Sequence, residues 1–186
     1  MRKLLDAAAV EFGEKGFHAA SISSITQRAA VALGTFYTYF DSKDALFQAL
    51  VQDMSAQVKS SAAAGIAQLH EAGEPSALDV EQSALASFLA FASEHKEIYR
   101  IIDESEFVDP AAYKAHYEST AARILERLQA GADKGELRDD LEEAHAWAVM
   151  GMNVFLGLRY AVWAEGADEN KVSQLARSIL ERGITK

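Results

Sequence analysis

Apolar residues recur along this chain at intervals of three and four, as they do on amphipathic helices, and no stretch alternates like a half-buried strand. Leu4, Leu5, Ala8 and Phe12 mark the inner face of a first helix over 2–15, with Gly16 as its stop. Ile22, Ile25 and Ala29 fall at i, i+3 and i+7, and Ser21 stands before them as an N-cap. After a turn of three or four residues, Phe36 and Phe40 mark the buried face of another short helix. Ser42 then caps a long helix in which Leu46, Leu50, Met54 and Val58 repeat every four residues, until Gly73-Glu74-Pro75 breaks it. Further helices are predicted over 78–93 and around 98–104. Asp109-Pro110 opens the next, through Tyr113, Tyr117, Ile124 and Leu128 to Gly131 or Gly135. Asp140-Leu141-Glu142-Glu143 reads as a capping box with Asp140 at the cap, opening an almost wholly apolar helix to Trp163. Gly166-Ala167-Asp168 resets the chain for a last helix carrying Val172, Leu175, Ile179 and Leu180. The pattern predicts an all-α protein of about nine helices, with an N-terminal helix-turn-helix unit of three helices and a helical bundle after it.

With Phe36 and Phe40 turned inward, Thr35, Tyr37, Thr38 and Tyr39 are left facing outward on a helix too short to be a core element. Hydroxyls and phenols clustered this way suit a helix that reads the DNA major groove. Leu4-Leu5-Asp6-Ala7-Ala8, Phe12-Gly13-Glu14-Lys15-Gly16-Phe17, Gly34-Thr35-Phe36-Tyr37-Thr38-Tyr39-Phe40 and Ser42-Lys43-Asp44-Ala45-Leu46 follow one another in order. Together they resemble the N-terminal domain of the TetR (tetracycline-repressor-like) family over residues 1–50. The resemblance implies DNA contacts from Leu33, Gly34, Thr35, Tyr37, Thr38, Tyr39 and Lys43, with Tyr37 and Lys43 on phosphates. Tyr37 or Tyr39 packing into the small core is the alternative. Three positions depart from the family pattern. Ala30 replaces the turn glycine and Ala32 a serine cap, each a possible loss of about 1 kcal/mol. Leu33 replaces a polar residue and could meet a thymine methyl.

Charge complicates this picture before it supports it. The 186 residues carry a formal net charge of −10. Residues 1–47 hold five basic and five acidic side chains, so the whole deficit lies downstream. An acidic body would stand away from the duplex while a neutral head docks. DNA affinity then leans on helix N-termini, tyrosines and two-site binding by a dimer. The chain has no cysteine, which excludes disulfides and thiolate metal sites and fits a cytoplasmic protein. His145, Asn153 and Arg159 interrupt the apolar stretch 144–164, so a buried helix accounts for it better than a membrane span.

Glu142-x-x-His145 matches half of a di-iron carboxylate site, but the sequence holds no second copy. Neither a phosphate loop nor a nucleophile elbow is present, so an enzyme, a metal site and a cofactor are not expected. For a small hydrophobic effector, the candidate contacts are Tyr99, Phe107, Tyr117, Trp147, Met150, Asn153, Arg159 and Trp163. Arg159 could instead pair with Asp103, Glu104 or Glu106. The helix over 144–164 is apolar on two faces, more than one core can satisfy. That places a homodimer interface on Ala148, Gly151, Met152, Phe155, Leu175 and Ile179. The expected organisation is a DNA-binding domain over 1–47 and an effector-binding and dimerisation domain over 48–186. The resemblance implies a repressor that a ligand releases from an inverted-repeat operator. A helical ligand-binding protein with a weakened head is the runner-up.

Overall fold

The computed structural model describes residues 1–185 and contains nine α-helices among them. These are α1 (Arg2–Lys15), α2 (Ile22–Arg28), α3 (Leu33–Tyr37), α4 (Lys43–Glu71), α5 (Ala77–Glu94), α6 (Glu97–Val108), α7 (Pro110–Asp133), α8 (Glu143–Gly157) and α9 (Glu169–Ile184). The all-α class and the helix count agree with the periodicity. The chain forms two compact units: Met1–Ala56 with His95–His116, and Gln57–Glu94 with the residues from Tyr117 onward. Helices α4 and α7 each contribute a segment to both. The first unit is thus larger than the pattern over 1–47 suggested, because α6 joins it.

In the first unit, Phe12, Phe17 and Phe47 pack ring against ring at 4.9–5.8 Å between centroids. Leu4, Leu5, Ala8, Ile25, Leu46 and Leu50 are buried around them. Helix α6 closes the end of α1. Gly13 lets it approach so nearly that a Cβ there would lie 2.5 Å from the Glu97 Cβ. Arg100 donates to the carbonyl oxygens of Gly13 and Glu14, and the Phe17 N–H donates to the Glu104 carboxylate at 2.7 Å. Carbonyls that the helix end leaves without partners are thereby satisfied by a cation from a neighbouring helix. The pattern placed α6 only around 98–104. It runs to Val108 because Ile98, Ile101, Ile102 and Ser105 continue one buried face, and it stops before the Asp109-Pro110 step.

In the second unit, Leu78, Ile124, Leu128, Leu137, Leu141, Val149 and Met150 form the main core, and Leu85, Leu89, Val172 and Ala176 a second cluster. The buried Glu81 carboxylate accepts two hydrogen bonds from Arg127, at 2.5 and 2.9 Å, tying α5 to α7. Two expectations are corrected here. The cap of α8 is Glu142, not Asp140, because Leu141 is drawn into the core and the cap falls after it. His145 answers from the helix, its Nδ1 accepting the Glu142 N–H at 3.0 Å while its Nε2 lies 2.6 Å from the Arg138 guanidinium. The apolar helix also does not run regularly to Trp163: Leu158–Trp163 is π-helical, packed on α5 with Ala161 buried.

Candidate nucleic-acid interface

The N-terminal half of the interface is built by a cap. Ser21 accepts the Ser24 N–H at 3.0 Å and Ser24 Oγ accepts the Ser21 N–H at 3.2 Å, so two donors at the start of α2 are satisfied reciprocally. At the other end of α2, the Val31 N–H donates to the Thr26 carbonyl and the Ala30 N–H to that of Gln27, both at 3.1 Å. This is a Schellman stop, and it holds Ala30 at φ 52, a left-handed conformation that favours glycine. The turn expected from the sequence is retained without its glycine.

Helix α3 follows at once. Phe36 and Phe40 are buried and meet at a tilt with 5.8 Å between ring centroids, which fixes its rotation. Leu33, Tyr37 and Tyr39 are each about half exposed (49%, 54% and 51%), the Tyr37 ring resting edge-on against buried Phe36 at 5.2 Å between centroids. Gly34 and Thr38 are exposed and Thr35 is half-buried. No atom lies within 4 Å of where a Gly34 Cβ would stand, leaving room for something to approach the backbone there. Ala32 provides no side-chain cap.

A buried carboxylate sets the position of α2 against α1. Glu11 is 2% exposed and accepts from Lys15 Nζ at 2.6 Å and Arg28 Nε at 2.8 Å, while a second Arg28 nitrogen reaches Glu14. The Lys15 hydrogen bond, helped by Arg28 and Ser24 against the cost of burial, holds the Glu11 carboxyl down at about 2. The signal for this network is an acid on the apolar face of α1, between Ala8 and Phe12; its partner Arg28 is distant in sequence.

Lys43 is engaged within the head itself. Its ammonium donates to the carbonyls of Phe17 at 2.7 Å, Ala20 at 3.0 Å and His18 at 3.4 Å, and sits 4.5 Å from the centre of the Phe17 ring. Arg2 is likewise committed, bidentate on Asp53. Of the five cations over 1–47, only Lys3 has no ionic partner or hydrogen bond of its side chain among the described residues. The exposed reading face therefore consists of phenols, hydroxyls, an apolar side chain and open backbone.

The residues considered for an effector divide between the two units. Tyr99 and Phe107 belong to the first unit, and Phe107 is 81% exposed. The other six lie in the second unit. There Met150 is buried, Tyr117 packs against the same core, and Asn153 is half-buried. Trp147, Arg159 and Trp163 are exposed, and Arg159 lies over the Tyr160 ring, with no carboxylate ion-paired to it among the described residues. A separate open groove of about 350 Å³ between α4, α5 and Asn170 is lined by Gln68, Gln82, Ser83 and Ser87, none of them a candidate. Among the residues considered for a dimer, Phe155, Leu175 and Ile179 are more than 60% exposed and Ala148 is exposed. Gly151 is half-buried, and Met152 packs partly on its own core. No group of three metal-ligating side chains occurs among the described residues.

Residues 4–50 match the family of bacterial regulatory proteins called the tetR family. The HTH-type transcriptional regulator YdgC of Bacillus subtilis (strain 168) is 30% identical over 159 residues, covering 81% of this chain and 75% of that one. UidR of Escherichia coli (strain K12), also an HTH-type transcriptional regulator, is 26% identical over 166 residues, covering 88% and 79%. The fold is similar to that of the transcriptional regulator FadR from Bacillus subtilis, solved in complex with stearoyl-CoA. The TM-score is 0.82 over 98% of both chains, with 17% identity. The relatives are transcriptional regulators, and a half-exposed reading helix braced on two buried phenylalanines is what such a regulator needs. The chain is a DNA-binding transcriptional regulator of the TetR family.

Proposed function

We propose that this regulator is a cytoplasmic repressor that binds an inverted-repeat operator as a homodimer and is released by a small hydrophobic effector. The observation that carries the reading is the outward face of α3: Leu33, Gly34, Tyr37, Thr38 and Tyr39 exposed against buried Phe36 and Phe40. In this reading residues 1–47 provide the DNA contacts, with Tyr37 on a phosphate and Thr35 and Tyr39 nearer the bases, and residues 48–186 provide effector binding and dimerisation. Phe155, Trp163, Leu175 and Ile179 are large apolar side chains, each more than 60% exposed, which supports a partner copy that covers them. Two heads related by a two-fold axis then read two-fold-related half-sites. An effector that favours one arrangement of the dimer lowers the population that fits the operator. The fold neighbour FadR holds stearoyl-CoA, in keeping with an apolar or amphiphilic ligand.

Footprinting on DNA upstream of the chain's own and neighbouring genes tests this. Two protected half-sites in inverted orientation are expected. Tyr37→Phe should weaken binding severalfold at every sequence, and Thr35→Ala should change which sequence is preferred. Protection of one asymmetric half-site by one subunit would overturn the assembly, and unaltered binding by both variants would overturn the reading face.

A further inference from the structure

The second unit contains two neighbouring cations that, among the described residues, form no ion pair. Lys59 on α4 is half-buried, and its ammonium donates to Ser119 Oγ on α7 at 2.9 Å. Ser119 and Arg123 stand at i and i+4 on α7, so the guanidinium lies on the same face, one turn along. Burial, and then the Arg123 charge, hold the Lys59 amine below its ordinary value. Arg127, Arg138 and Arg177 in this unit each reach a carboxylate, on Glu81, Asp140 and Asp79. Among the described residues, no carboxylate is ion-paired with Lys59 or Arg123. A half-buried ammonium beside a like charge is costly unless something negative joins it, and a carboxylate or phosphate oxygen can accept from both ammonium and guanidinium. Arg123 is exposed, so such an anion has access from solvent. On the same helix, Ile124 belongs to the apolar core and Tyr117 packs against it, which suits a molecule charged at one end only.

We propose that Lys59, Ser119 and Arg123 bind the anionic head group, a carboxylate or a phosphate monoester, of an amphiphilic effector whose apolar part enters the second unit. The proposal rests on the effector reading above and specifies its chemistry.

Three probes of equal chain length separate the possibilities: decanoate, decyl phosphate and decanol, titrated calorimetrically into the full-length protein. The wild type should bind at least one of the two anions roughly tenfold more tightly than decanol, and the stronger of them identifies the head group. In Lys59→Met/Arg123→Gln all three should bind alike, and Arg123→Gln alone, at an exposed position, should lose part of the preference. Decanol binding as tightly as the anions, or a double variant that keeps the preference, would overturn the head-group site while leaving a hydrophobic effector in place. Binding of none of the three would also overturn it. The effector reading itself would then fall only if neutral aromatic compounds likewise failed to release operator DNA.

Discussion

Two residues of the head carry opposite lessons about local conformation. Ala30 occupies a left-handed position with its N–H bonded to Gln27 and its side chain exposed, so the methyl group contributes strain and little packing. Ala30→Gly should therefore stabilise the protein by about 0.5–1 kcal/mol, offset in part by the freer unfolded chain. Chemical denaturation would show an unchanged slope and a higher midpoint. Lys43 shows the reverse, a polar group that sequence patterns assign outward and the fold uses inward. Lys43→Met keeps the stem over Phe17 but leaves two buried residues' carbonyls without their donor, and should cost about 1–3 kcal/mol. A mere phosphate contact would lower DNA affinity and leave thermal unfolding untouched, so melting the variant without DNA discriminates the two roles.

At the scale of elements, the buried Glu11 carboxylate helps to tie α2 to α1, and this makes the head acid-sensitive. The folded Glu11 carboxyl sits at about 2, below its ordinary 4.5. Its stabilising effect is thus complete above about pH 4.5 and disappears as the pH falls through about 2. The difference in melting temperature between wild type and Glu11→Gln should shrink steadily over that interval. Amide exchange in α1 and α2 would localise it, since both tryptophans lie in the second unit. The α8 and α9 surface gives a further expectation: Phe155→Glu with Leu175→Glu should yield monomers that no longer hold the operator, as sedimentation and gel shift would show. A dimer surviving both charges would place the interface elsewhere. Most of this architecture was legible in apolar spacing, because each helix buries one face and Ser21, Ser42 and Asp109 cap what they were expected to cap. The Glu11–Arg28 and Arg100–α1 contacts were not, since each joins groups far apart in sequence. The effector candidates are aromatic or polar residues within apolar helices, a pattern that cannot tell a cavity wall from an outer surface; Phe107 and Trp163 lie on the latter.

For the whole molecule, charge is distributed against simple electrostatic capture. The body carries the entire net charge of −10, and the head's cations are mostly consumed by Glu11, Glu14, Asp53 and backbone carbonyls. Few phosphates can be neutralised when the operator is bound, so few counterions are released. With about 0.9 in slope per neutralised phosphate, log affinity against log salt should fall with a slope no steeper than about −4 for a dimer. Titrating the complex at several potassium chloride concentrations measures this, and a much steeper slope would mean that the internal ion pairs open on DNA.

The π-helical segment has a geometric consequence for the exposed stripe. In a regular helix of 3.6 residues per turn, eight residues advance about 80° beyond two full turns, which would carry Trp163 well away from Phe155. The wider turn over Leu158–Trp163 slows that rotation, and Phe155, Arg159 and Trp163 all remain exposed at intervals of four. Seven residues of ordinary α-helix end within about 20° of the same direction. The segment therefore acts as a phase corrector, storing one residue of extra length without changing which side chains look outward. A relative shorter by one residue here would keep the same stripe on an unbroken helix, so a single gap at this point of an alignment marks no change of surface.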